Sequence, residues 1–206
     1  MKVIFISNSS WNLFNFRIDL IKSLLKKKIK VYTIAPLDEN TQKLKKIGCI
    51  HKNFRLKKRS LNPFNEIISF FYLLIIIYKI KPDFVLSFTI KPNIYSSIIS
   101  KILKIKNIVN ITGLGSSLLR RNILFYFVIL IYKITISKSY MIFFQNNDDL
   151  LFFKKFNLIK NNNYSVIPGS DVNLNYFNIS NFKEVNQDID FLYVGRLIKD
   201  KGINEF

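Results

Sequence analysis

Near its C-terminal end the sequence contains GRLIKDKG, a stretch whose charged residues could bind a diphosphate. It follows residues 189–194, a largely apolar run that predicts a buried strand. The Arg196 guanidinium can bind phosphate oxygens in a bidentate manner, and the Lys201 ammonium adds a point charge. Gly195 fits the turn that opens a strand–loop–helix unit. The spacing alone fits an ordinary solvated Arg and Lys equally well.

Two further loops that follow predicted strands carry groups suited to a ligand. The first, SNSSWNLFNFR, places Ser9 and Ser10 ahead of a helix that is predicted to begin near Phe16. The free amides at a helix N-terminus favour anions, although the serines could act only as N-caps. This loop has no glycine, which excludes a dinucleotide-binding fingerprint there. The second loop, TGLGSS, contains Gly113 and Gly115, and such a pair lets the backbone approach a ligand closely.

The single cysteine and single histidine limit the chemistry of the chain. One cysteine excludes an internal disulfide, and one of each residue excludes a structural zinc site of Cys/His type. Cys49 and His51 alternate in GCIHKNF, so a strand there would place both on one face. A catalytic Cys–His pair needs a third orienting group, and none is near, which favours two side chains of a half-buried strand. We expect no metal and no cofactor.

Short apolar runs alternate with amphipathic stretches through most of the chain. Runs of strand type such as KVIFIS and PDFVLSF are separated by helical patterns such as FRIDLIKSLLKKK. This alternation predicts an α/β fold: a doubly wound, Rossmann-like parallel sheet with right-handed crossovers. We expect this domain over residues 1–172, an Asn-rich linker over 173–188 and the beginning of a second Rossmann-like domain over 189–206.

The formal net charge of the chain is +19. The excess of basic residues is concentrated before residue 146, where 25 of the 32 basic and only 5 of the 13 acidic residues are found. A one-sided excess of charge predicts an anionic partner for that part of the chain. The abundance of Lys, Ile, Asn and Phe is also what an AT-rich coding sequence produces, so composition alone is the alternative. The chain has no RNP pattern, zinc finger or basic recognition helix, and we therefore do not expect it to bind nucleic acid.

Two apolar stretches, residues 67–80 and 123–136, could be mistaken for membrane spans. Each has fourteen residues, fewer than the about twenty that a span requires, and each contains a lysine near its end. We expect core helices. The alternative is insertion into a membrane interface, because aromatic and aliphatic residues lie beside the basic LLRRN stretch.

Taken together, the loops resemble one enzyme family. GRLIKDKG resembles the donor-phosphate motif of the retaining GT-B glycosyltransferases of family 4, which follows the first strand of their C-terminal domain. Further upstream, WNLFNFRIDLIKSL, SLNP, KPDFVLSFTIKPNIY, NITGLGS, FQNNDDLLFF and VIPGSDVNLNYF look like the acceptor-side domain, in the family's order. The resemblance covers nearly the whole chain. It is strongest to members that add a sugar to a polyprenyl-diphosphate-linked saccharide in bacterial glycan assembly.

The resemblance implies a role for each matching residue. Gly195, Arg196 and Lys201 would bind the donor diphosphate and stabilise charge on the leaving group. The other implied residues belong to acceptor or cleft loops: Ser9, Ser10, Arg17, Lys91, Thr112, Gly113, Gly115, Gln145, Asn146 and Gly169. Asp171 stands where the family usually has glycine and Asn173 where it usually has aspartate. A carboxylate at residue 171 would repel a bound diphosphate. No catalytic base is implied.

The resemblance implies transfer of a sugar from a nucleotide-sugar donor to a lipid-linked saccharide acceptor. It also implies a peripheral position on the inner face of the cytoplasmic membrane, held by anionic lipids. The family's paired glutamates would lie beyond residue 206, so we expect a truncated chain that is inactive alone. Two alternatives stay open. One is a non-catalytic remnant or membrane-associated subunit completed by a separate C-terminal polypeptide, and the other is a GT-B nucleotide-sugar epimerase.

Overall fold

The computed structural model describes residues 1–54, 56, 62–114, 123–159, 163–170, 193–195, 197 and 202–204. The chain divides into two compact units, Met1–Asp171 and Val172–Phe206, and all the helices and strands below belong to the first. The predicted linker and the predicted strand 189–194 lie largely outside the described residues, so the expected domain boundaries stay predictions.

Strands and helices alternate along the first unit, as the apolar pattern predicts. The elements are β1 (Lys2–Ile6), α1 (Ser10–Lys26), β2 (Lys30–Ala35), α2 (Thr41–Lys46), β3 (Ile50–Asn53), α3 (Pro63–Ile80), β4 (Phe84–Phe88), α4 (Ile90–Leu103), β5 (Lys106–Ile111), α5 (Ile123–Thr135), β6 (Met141–Phe144), α6 (Asn147–Lys155) and β7 (Tyr164–Val166). A 3₁₀ turn at Ile136–Lys138 follows α5.

The strands form one parallel sheet in the order β3–β2–β1–β4–β5–β6–β7. This confirms the predicted doubly wound, Rossmann-like α/β fold. The chain winds towards one edge from β1 to β3, and then returns to the centre and winds towards the other edge from β4 to β7. The order therefore reverses between β1 and β4, and the loops after these two strands diverge to leave a crevice.

Both faces of the sheet are covered because successive residues of each strand point to opposite sides. Ile4 and Ile6 of β1 pack with side chains of α3 and α4. Val3 and Phe5, on the other face, pack with side chains of α1 and α2. A third cluster joins β5 and β6 to α5 and α6, with the rings of Phe144 and Phe153 in edge contact at 5.0 Å.

Helix α1 begins at Ser10, so the predicted start near Phe16 is wrong. The Ser9 side chain accepts a hydrogen bond from the backbone amide of Asn12 at 3.2 Å and caps the helix. A serine in this position satisfies one of the free amides of the first turn. The apolar periodicity alone missed this turn because its outward positions include the apolar Trp11 and Phe16, which are exposed.

Helices α3 and α5 each pack one side into the core, as expected of core helices, but each also has an exposed apolar side. Helix α3 buries Leu73, Ile77 and Ile80, but its other side is apolar and exposed. The exposed apolar residues are Phe64, Ile67, Ile68, Phe71, Tyr72, Ile75 and Tyr78 on α3, and Ile123, Tyr126, Phe127, Leu130 and Ile134 on α5. We call these residues the α3 face and the α5 face.

Of the helices in the described part of the chain, Pro63–Ile80 is long and apolar enough to cross a membrane. Its mean hydropathy is 1.5 over 18 residues, of which 22% are buried. Leu73 and Ile77 are fully buried against the sheet, however. In this structure α3 therefore lies along the sheet with one side in the core.

We predict that Phe5→Ala lowers the free energy of unfolding by about 3–5 kcal/mol, because it leaves a cavity in the core. The Phe5 ring is fully buried and stacks on Phe88 with centroids 6.1 Å apart. The matched control is Phe64→Ala at a ring that is 78% exposed, where we expect a change within about 0.5 kcal/mol. Urea denaturation measures both values, and similar losses for the two variants would contradict the core assignment.

Candidate functional site

The carboxyl ends of β1 and β4 hold a cavity of about 170 Å³ at the point where the strand order reverses. Its lining comes from the loop after β1, from Leu56 and from the start of α4: Asn8, Leu56, Thr89, Ile90, Lys91 and Pro92. Ligands of open parallel sheets bind at such switch points. The N-terminus of α4 also directs free amides and a positive dipole towards this region. Lys91 is the one predicted site residue that lines the cavity.

The two predicted serines of the first loop support the local fold. Ser9 caps α1, as described above. Ser10 is fully buried, and its hydroxyl donates to the Pro36 carbonyl at 3.0 Å and accepts from the Thr41 hydroxyl at 3.0 Å. Ser10 therefore has no hydroxyl proton left to donate to a ligand in this structure. The neighbouring Asn8, which the sequence did not single out, lines the cavity.

Arg17 is a buried cation without a carboxylate partner among the described residues. Its side chain is 7% exposed, and its guanidinium carbon lies 4.5 Å from the centre of the Phe88 ring. Arg17 Nη1 donates to Ser170 Oγ at 2.9 Å, whereas Nε has no hydrogen-bond partner in this part of the chain. Burial lowers the pKa of this guanidinium from its usual value. A buried cation with an unused donor is suited to an anionic ligand.

Arg17 and Gln145 both form hydrogen bonds with Ser170, a residue that follows β7. Gln145 Nε2 donates to Ser170 Oγ at 3.3 Å, so the same hydroxyl accepts from both side chains. Gly169 precedes it with φ of +69°, a conformation that favours glycine. Helix α1, the residue after β6 and the loop after β7, which are distant in sequence, thus meet at Ser170.

Lys91 forms an ion pair that the sequence did not predict. Its Nζ lies 2.8 Å from Glu66 Oε1, and both side chains are partly buried. Tyr95, one turn along α4, donates its hydroxyl proton to the other Glu66 oxygen. Burial and, secondarily, the Glu66 carboxylate raise the pKa of Tyr95. The sequence did carry a signal, since Glu66 is one of only five acidic residues before residue 146 and Lys91 and Tyr95 are four residues apart on a helix.

The other predicted cleft residues have local roles. Asn146 caps α6, with its Oδ1 accepting from the Asp149 amide at 2.7 Å. Thr112 is exposed, and Gly113 has φ of +127° with none of the described residues within 4 Å of the position a Cβ would occupy. That open space agrees with a backbone that a ligand can approach. Gly115 lies outside the described residues.

The donor-side motif is only partly described. Arg196 and Lys201 lie outside the described residues, so their predicted role is untested. Gly195 belongs to the second compact unit, where a Cβ in its place would lie 3.1 Å from the Tyr193 hydroxyl oxygen. Such close approach explains locally why a glycine stands there, whether or not it also serves a ligand.

Cys49 and His51 do not form a catalytic pair. Cys49 precedes β3 and is buried, and burial raises the pKa of its thiol to about 11, so it is protonated at neutral pH. The His51 Nδ1 atom lies 3.1 Å from the Thr33 hydroxyl, and burial is the main cause that lowers the pKa of the imidazole. No cluster of three metal-ligating side chains occurs among the residues that the structure describes.

Comparison with known proteins identifies the family. A sequence model described as Glycosyl transferase 4-like matches residues 2–146. The chain belongs to this family. The match covers β1 to β6 and the loops of the candidate site up to Asn146. The resemblance seen in the sequence motifs is thereby confirmed.

A curated relative of this glycosyl transferase 4-like chain comes from Campylobacter jejuni. It is N,N'-diacetylbacillosaminyl-diphospho-undecaprenol alpha-1,3-N-acetylgalactosaminyltransferase, 30% identical over 222 residues that cover 100% of this chain and 59% of the relative. The chain thus spans 59% of the length of that relative.

Two solved structures share the GT-B type of fold. A glycosyltransferase from Rickettsia africae superposes with a TM-score of 0.64 at 18% identity, over 88% of this chain and 46% of its own. Anabaena Alr3699/HepE, solved with UDP and glucose, gives 0.61 at 12% identity, over 85% of this chain and 46% of its own. At these identities the likeness concerns the fold alone. The described domain corresponds to about half of each structure.

We predict that Arg17→Met raises the free energy of unfolding by about 1 kcal/mol, because it removes a buried charge that has no carboxylate partner among the described residues. Lys22→Met, at an exposed position of the same helix, is the control and should change this free energy by less than about 0.5 kcal/mol. Chemical denaturation measures both. A loss of more than about 1 kcal/mol for Arg17→Met would show that the contacts with Phe88 and Ser170 serve the fold rather than a ligand.

Proposed function

We propose that this chain is the acceptor-side domain of a retaining glycosyltransferase that transfers a sugar from a nucleotide-sugar donor to a lipid-linked saccharide. The observation that carries the proposal is the cavity at the carboxyl edge of the sheet in a glycosyl transferase 4-like domain, with Lys91 in the first turn of α4 lining it and the buried Arg17 on α1. The Campylobacter jejuni relative, whose name specifies a diphospho-undecaprenol-linked substrate, supports the acceptor class.

Acceptor binding would rest on the two cations of this edge. A diphosphate carries negative charge that both a guanidinium and an ammonium can neutralise. Arg17 keeps an unused Nε donor in this part of the chain, and Glu66 holds the Lys91 ammonium at the mouth of the cavity. Because Glu66 offsets the charge of Lys91, an incoming phosphate would compete with the carboxylate. Thr112 and the open backbone of Gly113 would face the same cleft.

Donor binding would rest on the C-terminal motif. Arg196 and Lys201, with the turn at Gly195, would neutralise the charge that develops on the leaving diphosphate in the transition state. We propose no metal and no cofactor, so the nucleotide sugar is the only small molecule required. The unusual Asp171 would weaken donor binding by charge repulsion.

The first test joins residues 1–206 to the part of the Campylobacter jejuni relative that this chain does not match. We expect the fusion to transfer N-acetylgalactosamine from its UDP derivative to an undecaprenyl-diphosphate-linked saccharide. We expect the 206-residue chain alone not to do so, because a single domain cannot orient both substrates. In the fusion, Lys201→Ala should lower kcat by roughly 100-fold, whereas the neighbouring Lys199→Ala should change it by less than about threefold.

The same assay separates the alternatives. Equal effects of the two lysine substitutions would contradict the role proposed for Lys201 in donor binding. A fusion without activity beside an active relative would contradict the transferase proposal and favour a non-catalytic remnant or subunit. Conversion of the nucleotide sugar into an isomer without any acceptor would favour the epimerase. Transfer by the 206-residue chain alone would contradict the need for a second domain.

We infer further that the α3 face and the α5 face bind the cytoplasmic side of an anionic membrane. Soluble proteins rarely expose so many large apolar side chains on adjacent elements. Helices α3, α4 and α5 follow one another on the sheet, and lysines in the last turns of α3 and α5, at Lys79 and Lys133, supply charge of the sign that attracts anionic headgroups. An acceptor that carries a polyprenyl chain would be reached at such a surface.

We predict that Phe71→Ser/Ile75→Ser lowers partition onto phosphatidylglycerol-containing vesicles at least tenfold, because two apolar side chains no longer enter the membrane interface. Both residues are more than half exposed, so the fold should persist. The matched control is Phe16→Ser/Leu20→Ser on α1, across the sheet, a phenylalanine and a branched aliphatic residue at the same spacing of four, and we expect less than a twofold change. Vesicle co-sedimentation measures both, and equal losses for the two pairs would contradict membrane binding through α3.

A further inference from the structure

A second cavity, of about 240 Å³, opens at the amino-terminal edge of the sheet, at the opposite end of the strands from the candidate site. It lies between the ends of α4 and α5 and the starts of β5 and β6. Its lining residues are Ser97, Lys101, Lys104, Ile105, Lys106, Asn107, Thr135, Lys138 and Tyr140. Four of these are lysines and none is acidic. We call this feature the lysine pocket.

Among the residues that the structure describes, the four lysines of the pocket have no carboxylate partner. Among the described residues, the ion pair that meets a 4.0 Å limit joins Lys91 and Glu66, which lie elsewhere. Lys106 is instead positioned by two aromatic rings, with its Nζ 5.1 Å from the centre of Tyr140 and 5.5 Å from that of Phe84. The aromatic rings thus hold Lys106 in place, while no described carboxylate offsets the charge of the four lysines. Like charges gathered in a concave site attract an anion.

The floor of the pocket is polar and buried. Asn107 and Ser97 are 5% and 3% exposed, and Asn107 Nδ2 donates to Ser97 Oγ at 2.9 Å. The same nitrogen lies 3.3 Å from Ser139 Oγ. No group in the described part of the chain accepts the hydroxyl proton of Ser97. The floor therefore offers a neutral hydrogen-bond donor beneath the lysines, as an anion site requires.

Helix dipoles account for only part of this arrangement. Lysines near a helix C-terminus are stabilised by the negative end of the dipole, and Lys101 lies in the last turn of α4. Lys104 is the C-cap of α4, whereas Lys106 is the first residue of β5. Lys138 ends the 3₁₀ turn that follows α5. The gathering of all four around one cavity is thus a property of the fold and not of any single helix.

We propose that the lysine pocket binds a phosphate-containing anion, separately from the candidate transferase site. Its volume lies below the roughly 300–1,000 Å³ of pockets for drug-sized ligands, which suits one or two phosphate groups and not a whole nucleotide sugar. The lysine ammoniums act as point charges on flexible stems, a form of recognition that fits phosphate without demanding one orientation. The ligand comes either from an anionic lipid headgroup or from a soluble phosphate compound.

The surroundings make the lipid source testable in the same chain. Ile102 and Ile134 are each 59% exposed and are the sequence neighbours of the lining residues Lys101 and Thr135. Ile134 also belongs to the α5 face. A headgroup in the pocket would therefore place its acyl chains beside apolar side chains. The proposal does not depend on the transferase function, since the carboxyl-edge cavity shares no lining residue with the pocket.

The experiment compares two variants with equal changes in net charge. Lys104→Glu/Lys138→Glu reverses two pocket lysines, and Lys22→Glu/Lys45→Glu reverses two exposed lysines on α1 and α2, across the sheet. One arm measures co-sedimentation with phosphatidylglycerol vesicles, and the other measures inorganic pyrophosphate binding by calorimetry. We expect the pocket variant to bind at least roughly tenfold more weakly in at least one arm, and the control to change by less than about threefold.

The pattern across the arms identifies the ligand source. A selective loss on vesicles alone supports a lipid headgroup, and a selective loss for pyrophosphate supports a soluble phosphate ligand. Equal changes for the two variants in both arms would overturn the proposal and leave only general attraction by the +19 charge. A second comparison uses milder changes: Lys104→Asn/Lys138→Gln as the pocket variant and Lys22→Asn/Lys45→Gln as the control. Asn is chosen at residue 104 because it tolerates the φ of +56° there. Circular dichroism verifies folding of each variant.

Discussion

The reversal of strand order between β1 and β4 is the constraint on which the rest of this domain depends. All strands are parallel, so every connection after a strand begins at the same edge of the sheet. Where winding changes direction, the two neighbouring loops diverge and leave space that no backbone fills. The cavity lined by Asn8, Thr89 and Lys91 occupies this position. The site is thus a consequence of topology, to which individual side chains add charge and hydrogen-bonding groups.

Charge at this edge is arranged in two different ways. Arg17 is buried against an aromatic ring and a hydroxyl, with no carboxylate partner in the described part of the chain. Lys91 is paired with Glu66, which is itself bonded to Tyr95. A buried cation without a partner destabilises the fold, and a bound anion would offset this cost by neutralising the charge. A paired lysine keeps its position without a ligand and releases the carboxylate when a competing anion arrives.

The two edges of the sheet and its outer helices differ in character. The carboxyl edge carries mixed polar loops, the amino edge carries the lysine pocket, and the α3 and α5 faces are apolar and exposed. In a membrane-associated enzyme these surfaces would have different roles. The apolar side chains would enter the membrane interface, and the lysines would bind phosphate groups near it. Part of the excess of basic residues before residue 146 is thus located at the lysine pocket. Other lysines lie on α1 and α2, so amino-acid composition also contributes to the net charge.

The alternation of apolar runs predicted the α/β class and the parallel, doubly wound sheet, because burial on both faces of a sheet leaves a strong periodic signal. The apolar stretch 67–80 lies within α3, which begins at Pro63 after the Asn62 cap. The start of α1 escaped detection because a serine cap has no periodicity of its own. The ordered motifs predicted the family, as the Glycosyl transferase 4-like match over residues 2–146 confirms.

What the sequence could not decide depends on contacts between distant segments. Whether an apolar helix is buried or exposed follows from which neighbours cover it, and α3 and α5 have a core-like composition but one open side. The pairing of Lys91 with Glu66, the sharing of Ser170 by Arg17 and Gln145, and the gathering of four lysines around one cavity all join residues that lie far apart along the chain. The sequence alone determined the fold class, because local apolar periodicity is sufficient for it. Only the tertiary structure decided which charges are paired, which are buried and which meet, because those properties are set by the packing of the whole sheet.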